Sequence, residues 1–291
     1  MQNVTMNRPI DTERAHYMKK AAIVACSNAR QSKYRQETEE LTAFLQSAGI
    51  QPKLSDCIYS DDGVFSGTPR ERAAQLMKMF KDPEIEEIYD VSGGDVANQI
   101  LEELDYGAIA ASKATFWGYS DLSTVINAIY TMTGKESVLY QVRNTVRGDN
   151  TALQRKRFQN RAELFTPAFT FVQKSAMKGV VIGGNIRCFL KLAGTRYFPD
   201  LQGKILLLES LGGEAAQMAT YLAQLRQIGA FEKVNGVLLG TFTTMERNQC
   251  TPDIVTLVKE VCGPDMPVAT TSEIGHGDDS KAIIIGREIE L

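Results

Sequence analysis

The amino-acid sequence predicts an α/β protein: an N-terminal, mainly parallel-sheet α/β domain followed by a smaller C-terminal α/β domain. Three observations carry that expectation. Short apolar runs at 21–25, 85–91, 115–117 and 138–142 alternate with helix-like stretches, the pattern of βαβ units. The rhythm breaks over 143–176, where Arg143, Arg147, Arg155, Lys156, Arg157 and Arg161 accumulate without strand periodicity. It restarts at 179–185 and runs on through 204–208, 237–239, 267–270 and 282–285. A length of 291 residues suits two domains. The expected division is 1–150, a connector over 151–176, and 177–291.

Each element has its own signal. Residues 1–18 are polar and are expected to form a helix or an arm. The run at 21–25 is a buried strand. Leu41, Phe44, Leu45 and Ala48 then share one helical face, and Gly49 stands where such a helix ends. Thr68-Pro69-Arg70-Glu71 is a capping box: Thr68 caps free N–H groups, Pro69 needs no donor at the first position, and Glu71 reaches back. Ala73, Leu76, Met77 and Phe80 make that helix's buried face. After the strand at 85–91 come Ser92-Gly93-Gly94-Asp95 and a helix near 96–104. After the strand at 115–117 come Gly118-Tyr119-Ser120-Asp121 and a helix over 122–131. The basic stretch 143–176 reads as a solvated connector with a short helix. In the second half, helices are expected near 214–225 and 254–261. In parallel sheets, ligands bind beyond the carboxyl ends of strands. The turns at 92–95 and 118–121 both occupy that position.

Composition excludes several classes. Hydrophobic residues make up 43% and charged residues 23%, so the chain is not disordered. Lys and Arg number 32 against 35 Asp and Glu, which leaves no electrostatic footprint for nucleic acid. Five scattered cysteines without a C-x-x-C pair argue against a disulfide framework and a zinc cluster. Only His16 and His276 are available as histidines, which excludes a histidine-rich metal site. Neither a dinucleotide fingerprint nor a Walker lysine is present, so no cofactor is expected. The N-terminus lacks the apolar core of a secretory signal, and no stretch is long enough to span a membrane. The expectation is a cytoplasmic protein with no membrane partner.

Four places carry chemistry. Ser120 sits where a strand turns into a helix, near a positive dipole end that favours developing negative charge. The turn resembles a nucleophile elbow without its second glycine, and from position alone an ordinary N-cap is the commoner reading of the same pattern. Gly93-Gly94 allows close backbone approach, suited either to an oxyanion or to a plain turn. Glu209 ends an apolar run; it either orients a histidine or faces water at a strand end. His276 lies in Gly275-His276-Gly277-Asp278, a tight loop that either presents an imidazole to a site or stands at the surface. His16, in the polar N-terminal segment, is the poorer base. A serine, a base and a group that orients the base make an activated nucleophile, and distance in sequence does not forbid it.

At these residues the sequence resembles the LD-carboxypeptidase family of serine peptidases, which includes muramoyltetrapeptide carboxypeptidases and microcin-immunity peptidases. The matching stretches are Ser66-Gly67-Thr68-Pro69-Arg70-Glu71-Arg72-Ala73, Gly93-Gly94, Leu104-Asp105-Tyr106, Gly118-Tyr119-Ser120-Asp121, Gly183-Gly184-Asn185, Gly194-Thr195, Lys204-Ile205-Leu206-Leu207-Leu208-Glu209 and Gly275-His276-Gly277. The resemblance implies a catalytic triad of Ser120, Glu209 and His276. The serine would lie in the first domain and the other two in the second. It also implies an oxyanion hole made by the backbone N–H groups of Gly94 and Asp121, a homodimer, and a small peptide or muropeptide substrate that loses a terminal D-alanine.

The sequence departs from the family at several loops. Ser92-Gly93-Gly94-Asp95-Val96 stands where many members have Arg-Gly-Gly-Tyr-Gly, so an arginine suited to an acidic substrate is missing. Glu209-Ser210 replaces a Glu-Asp pair, and Tyr140-Gln141-Val142 replaces a Gly-Pro turn. Ala25-Cys26-Ser27-Asn28 ends the first strand where Pro-Ser or Pro-Ala is common. Two other readings stay open on the same fold: an amide hydrolase acting on a peptidyl-nucleotide, and a non-catalytic protein that binds a small ligand.

Overall fold

A computed structural model describes residues 19–291; the expected N-terminal arm and His16 lie outside them. Chain order begins with β1 (Lys19–Val24), α1 (Arg35–Ser47), β2 (Ile50–Leu54), α2 (Pro69–Phe80) and β3 (Ile85–Asp90). Next come α3 (Tyr106–Ala111), β4 (Thr115–Gly118), α4 (Ser123–Thr133) and β5 (Ser137–Leu139). Then follow α5 (Thr151–Gln159), α6 (Arg161–Leu164), β6 (Thr170–Gln173), β7 (Lys178–Asn185), α7 (Ile186–Leu190) and β8 (Ile205–Ser210). The chain continues through α8 (Ala215–Gln227), β9 (Gly236–Phe242), α9 (Thr243–Arg247), α10 (Ile254–Cys262), β10 (Val268–Thr270), β11 (Ile283–Ile285) and β12 (Glu288–Glu290).

The strands form two six-stranded sheets, ordered β11-β5-β4-β3-β1-β2 and β12-β7-β8-β9-β10-β6. In the first, β2, β1, β3, β4 and β5 are all parallel neighbours, as the βαβ alternation requires. In the second, β7 to β10 are parallel, while β6 and β12 add as antiparallel edges. The C-terminal stretch serves both sheets. β11 pairs antiparallel with β5 of the first sheet, Ile283 opposite Leu139, and β12 returns to β7.

Local signals explain the helix that starts the first α/β crossover after β2. The Thr68 side chain accepts from the Glu71 N–H, and the Glu71 carboxylate accepts from Thr68 N–H at 2.8 Å. Ala73, Leu76 and Phe80 then bury against the sheet with Ala22, Val24 and Ile88. The helix expected near 96–104 is instead a 3-10 turn over Ala97–Glu103, pinned at its start by Asp121 Oδ2 accepting the Ala97 N–H at 2.8 Å.

The basic stretch differs from a solvated connector. It holds α5, α6 and β6, and Gln154 and Phe158 are fully buried. Arg155, Arg157 and Arg161 of this stretch are structural. The Arg161 guanidinium stacks over Phe158 and Trp117 at 4.1 and 4.6 Å and pairs with Glu87 at 3.1 Å. Guanidinium stems cover aromatic surface while the charge stays paired, so a charge run need not be a solvated face.

One core cluster joins the two sheets. Val125, Ile126 and Ile129 of α4 share it with Val181, Ile205 and Leu207 of β7 and β8. Two polar side chains of α4 complete the join. Asn127 Nδ2 donates to Gly183 O at 2.8 Å, Asn127 Oδ1 accepts the Gly183 N–H at 2.9 Å, and Ser123 Oγ accepts the Asn185 N–H at 3.0 Å. The helix that follows Ser120 is therefore fixed to both sheets.

Candidate active site

Ser120 stands at the carboxyl end of β4. Tyr119 is extended, Ser120 turns into the left-handed region at φ 56°, and a 3-10 turn over Ser120–Leu122 feeds α4. A non-glycine residue held there stores about 1–3 kcal/mol of strain, which the surrounding packing sustains. The sharp turn aims the side chain outward, and Ser120 is half-buried at the mouth of a cleft. It is not the N-cap of the helix; Tyr119 precedes the turn and no side chain caps it.

His276 arrives from the opposite side, on the segment that crosses from β10 to β11. Its Nε2 lies 3.2 Å from Ser120 Oγ, and its Nδ1 lies 2.7 Å from Glu209 Oε2. Glu209 is on β8 with 0% exposure, so it does not face water. Tyr119 completes the group. Its hydroxyl donates to Glu209 Oε2 at 3.1 Å, and its ring meets the His276 ring edge-to-face at 4.6 Å. Burial, then the Glu209 charge, push the Tyr119 phenol up, so it remains a donor. With the carboxylate accepting from both Tyr119 and Nδ1–H, the imidazole carries its proton on Nδ1. Nε2 is then the acceptor facing Ser120.

The histidine loop is braced from two directions. Gly275 approaches Thr241 so closely that a Cβ would lie 1.7 Å from Thr241 Oγ1, and Thr241 N–H donates to Ile274 O at 2.8 Å. From the other side the basic stretch holds it. Asn144 Nδ2 donates to Gly277 O at 3.2 Å, and Gln154 Nε2 donates to the carbonyls of Asp278 and Ser280, both at 2.8 Å. The Asp278 carboxylate accepts from the Asp149 and Asn150 N–H groups, and the Asn150 side chain chiefly holds its pKa below the ordinary value.

The glycine loop lines the same cleft. Gly93 O accepts the Asn28 N–H at 3.2 Å, so the trans peptide turns the Gly94 N–H the other way. Asn28 Oδ1 accepts the Asp95 N–H at 2.9 Å, and a Cβ on Gly94 would fall 2.2 Å from Asn28 Cγ. The Asp121 N–H lies in the first turn of a 3-10 helix, where such groups have no intrahelical acceptor. The Asp121 side chain points elsewhere. Fully buried, it accepts from Ser27 Oγ at 2.6 Å and from Lys191 Nζ at 2.5 Å. Lys191, just past α7, also donates to Asp95 O at 2.8 Å, and Arg187 of α7 donates to Gly94 O at 3.0 Å and pairs with Asp95. One basic turn of the second half thus steadies both backbone segments.

Thus Ser120, His276 and Glu209 meet, with Ser120, His276 and Gly94 lining a cleft of about 430 Å³ and Glu209 buried behind it. The sequence assigns no role of their own to Asn28, Tyr119, Arg187 and Lys191. Asn28 has a legible signal, since it follows the first strand at its carboxyl end. Nothing in the sequence marks Lys191. Among the described residues, no group of three or more His, Cys, Asp or Glu is placed to hold a metal ion.

Two family models match the chain: LD-carboxypeptidase N-terminal domain over residues 21–140, and LD-carboxypeptidase C-terminal domain over 178–291. The "Probable murein peptide carboxypeptidase" of Bacillus subtilis (strain 168) is 27% identical over 260 residues, covering 85% of this chain and 82% of that protein. The microcin C7 self-immunity protein MccF of Escherichia coli is 25% identical over 233 residues, 68% of each chain. The crystal structure of muramoyltetrapeptide carboxypeptidase from Oxalobacter formigenes shares the fold, with a TM-score of 0.80 at 22% identity over 94% of both chains.

Proposed function

The chain belongs to the LD-carboxypeptidase family, and from that premise we propose that Ser120, His276 and Glu209 are the nucleophile, general base and orienting carboxylate of its reaction. It is a serine peptidase of the LD-carboxypeptidase type. The observation that carries the assignment is the continuous contact from Ser120 Oγ to His276 Nε2 at 3.2 Å and from His276 Nδ1 to Glu209 at 2.7 Å.

In the proposed reaction, Ser120 Oγ attacks a peptide carbonyl while His276 Nε2 takes its proton. Glu209 holds the tautomer and stabilises the imidazolium. The Gly94 and Asp121 N–H groups receive the tetrahedral oxyanion; one such donor is typically worth about 10²–10³ in kcat. His276 returns its proton to the leaving amine, the C–N bond breaks, and water hydrolyses the ester through the same base. These three side chains and water account for every proton, so the steps call for no cofactor.

The substrate proposed is a short peptide of the muropeptide type, cut before a terminal D-alanine. Relatives named murein peptide and murein tetrapeptide carboxypeptidase support it. The same reading makes the protein a cytoplasmic homodimer, and sedimentation velocity tests its assembly. No described helix is long and apolar enough to cross a membrane. The contact between Ser120 and His276 weighs against a purely binding role. Mass spectrometry of wild type and Ser120→Ala with an L,D-tetrapeptide muropeptide tests the reading. Loss of one alanine is expected with wild type alone; equal loss with Ser120→Ala would sink it.

A further inference from the structure

The cleft beside Ser120 continues past Gly93 into a second recess of about 300 Å³, and Arg143 and Arg147 line both. We infer that Arg143 and Arg147 form a carboxylate-binding subsite that makes the cleft select acidic peptides. The inference deepens the peptidase reading and rests on it.

The positive charge of this wall is under-compensated. Arg147 is exposed and forms no ion pair or hydrogen bond with a described residue. The Arg143 side chain is only 17% exposed. Its Nε donates to Gln141 Oε1 at 3.1 Å, and its nearest carboxylate oxygen, on Glu37, is 3.9 Å away. That same oxygen is 3.0 Å from Arg30, which also lines the recess. One carboxylate oxygen therefore serves two guanidinium groups, and Arg147 has none among the described residues. Burial first, and then the neighbouring Arg30, push Arg143 down to about 10, as expected of a cation short of anionic partners.

Other charges near the cleft are already used. Asp278 is saturated by the backbone and side chain of Asn150 and the Asp149 N–H. Asp95 is paired with Arg187. Ser92 of the glycine loop donates to Asp90 and accepts the Ser27 N–H, and the loop offers no cation of its own. The guanidinium fork suits a carboxylate, and the backbone beneath it is fixed. Gln141 Oε1 accepts the Arg143 N–H at 3.4 Å, and Arg155 Nε donates to Thr145 O at 2.7 Å. The same turn carries Asn144, which braces the histidine loop, so the subsite and the base are built on one support.

The test is calorimetry on Ser120→Ala protein, which separates binding from turnover. The probes are L-Ala-γ-D-Glu-L-Lys-D-Ala, its C-terminal amide, and the form with the glutamyl carboxyl amidated. One amide is expected to bind about 10- to 100-fold more weakly than the acid. Adding Arg147→Ala should cost the acid a similar factor and leave that amide unchanged. Arg143→Gln should act alike, and exposed Arg147 keeps the test valid if the Arg143 variant fails to fold. Which amide is penalised tells whether the terminal or the internal carboxylate is held. Equal affinities for all three peptides, a penalty independent of the carboxylate, or no binding of any of them would overturn the subsite. No alanine release by wild type, with an Arg147-dependent preference intact, would remove the peptidase reading and leave the subsite standing.

Discussion

Ser120 is held at φ 56°, a conformation that glycine adopts freely and alanine does not. Ser120→Gly and Ser120→Ala should both lose turnover, yet the glycine variant should be more stable by about 1 kcal/mol, roughly 2 °C in melting temperature. That order is the reverse of an ordinary helix or strand position, and calorimetry of the two proteins checks it. An alanine variant that melts higher would mean that the turn relaxes without the serine. Ser120 and His276 were legible because turn chemistry marks them: one lies at a strand-to-helix junction, the other between two glycines. Tyr119 was harder to see. Its hydroxyl matters only because the fold folds Glu209 and His276 over it, and nothing local in Gly118-Tyr119-Ser120 announces a buried donor.

At the scale of elements, the basic turn at the end of α7 is the least anticipated support. Lys191 reaches the fully buried Asp121 and the Asp95 carbonyl from the opposite sheet's layer. Lys191→Met keeps the length of the side chain and removes the charge. Its expected effect is a loss of about 1–3 kcal/mol of stability, because Asp121 loses its ammonium partner and keeps neutral donors such as Ser27 and Ala97. If Lys191 positions the backbone donors, kcat should fall about tenfold with KM nearly unchanged. A drop in stability with unaltered kcat would reduce Lys191 to a packing role. Periodicity identified α2 and its cap because a capping box is local. It misread 143–176 because the arginines there pack against Trp117 and Phe158, contacts that depend on residues far along the chain. The short edge strands β6 and β12 carry too few residues for alternation to distinguish them from loops.

At the scale of the molecule, the parallel order of strands followed from the βαβ rhythm, but the exchange of β11 did not. Its apolar run was visible; its partner β5 was not, because pairing across the molecule leaves no trace in a three-residue pattern. The exchange has an energetic consequence. A fragment of residues 1–176 would expose the β5 edge and the α4 face that packs on Val181 and Ile205. It is expected to melt without a cooperative transition and to bind a hydrophobic dye. Co-expression with 177–291 should restore cooperative melting and turnover. A fragment that melts sharply alone would show that the two halves are separable, contrary to the shared core.

His276 lies on the strand-to-strand crossing between β10 and β11, so the same stretch that closes the first sheet carries the imidazole to Ser120. Under the proposed triad, the order of synthesis acts as a safety catch. Ser120 leaves the ribosome early, on a sheet that can begin to assemble, while its proposed base is still unmade. A nascent or half-folded chain would then carry an unactivated serine. The proposed cleavage would become possible only once the crossing segment has docked, which would tie the onset of hydrolysis to the completion of folding.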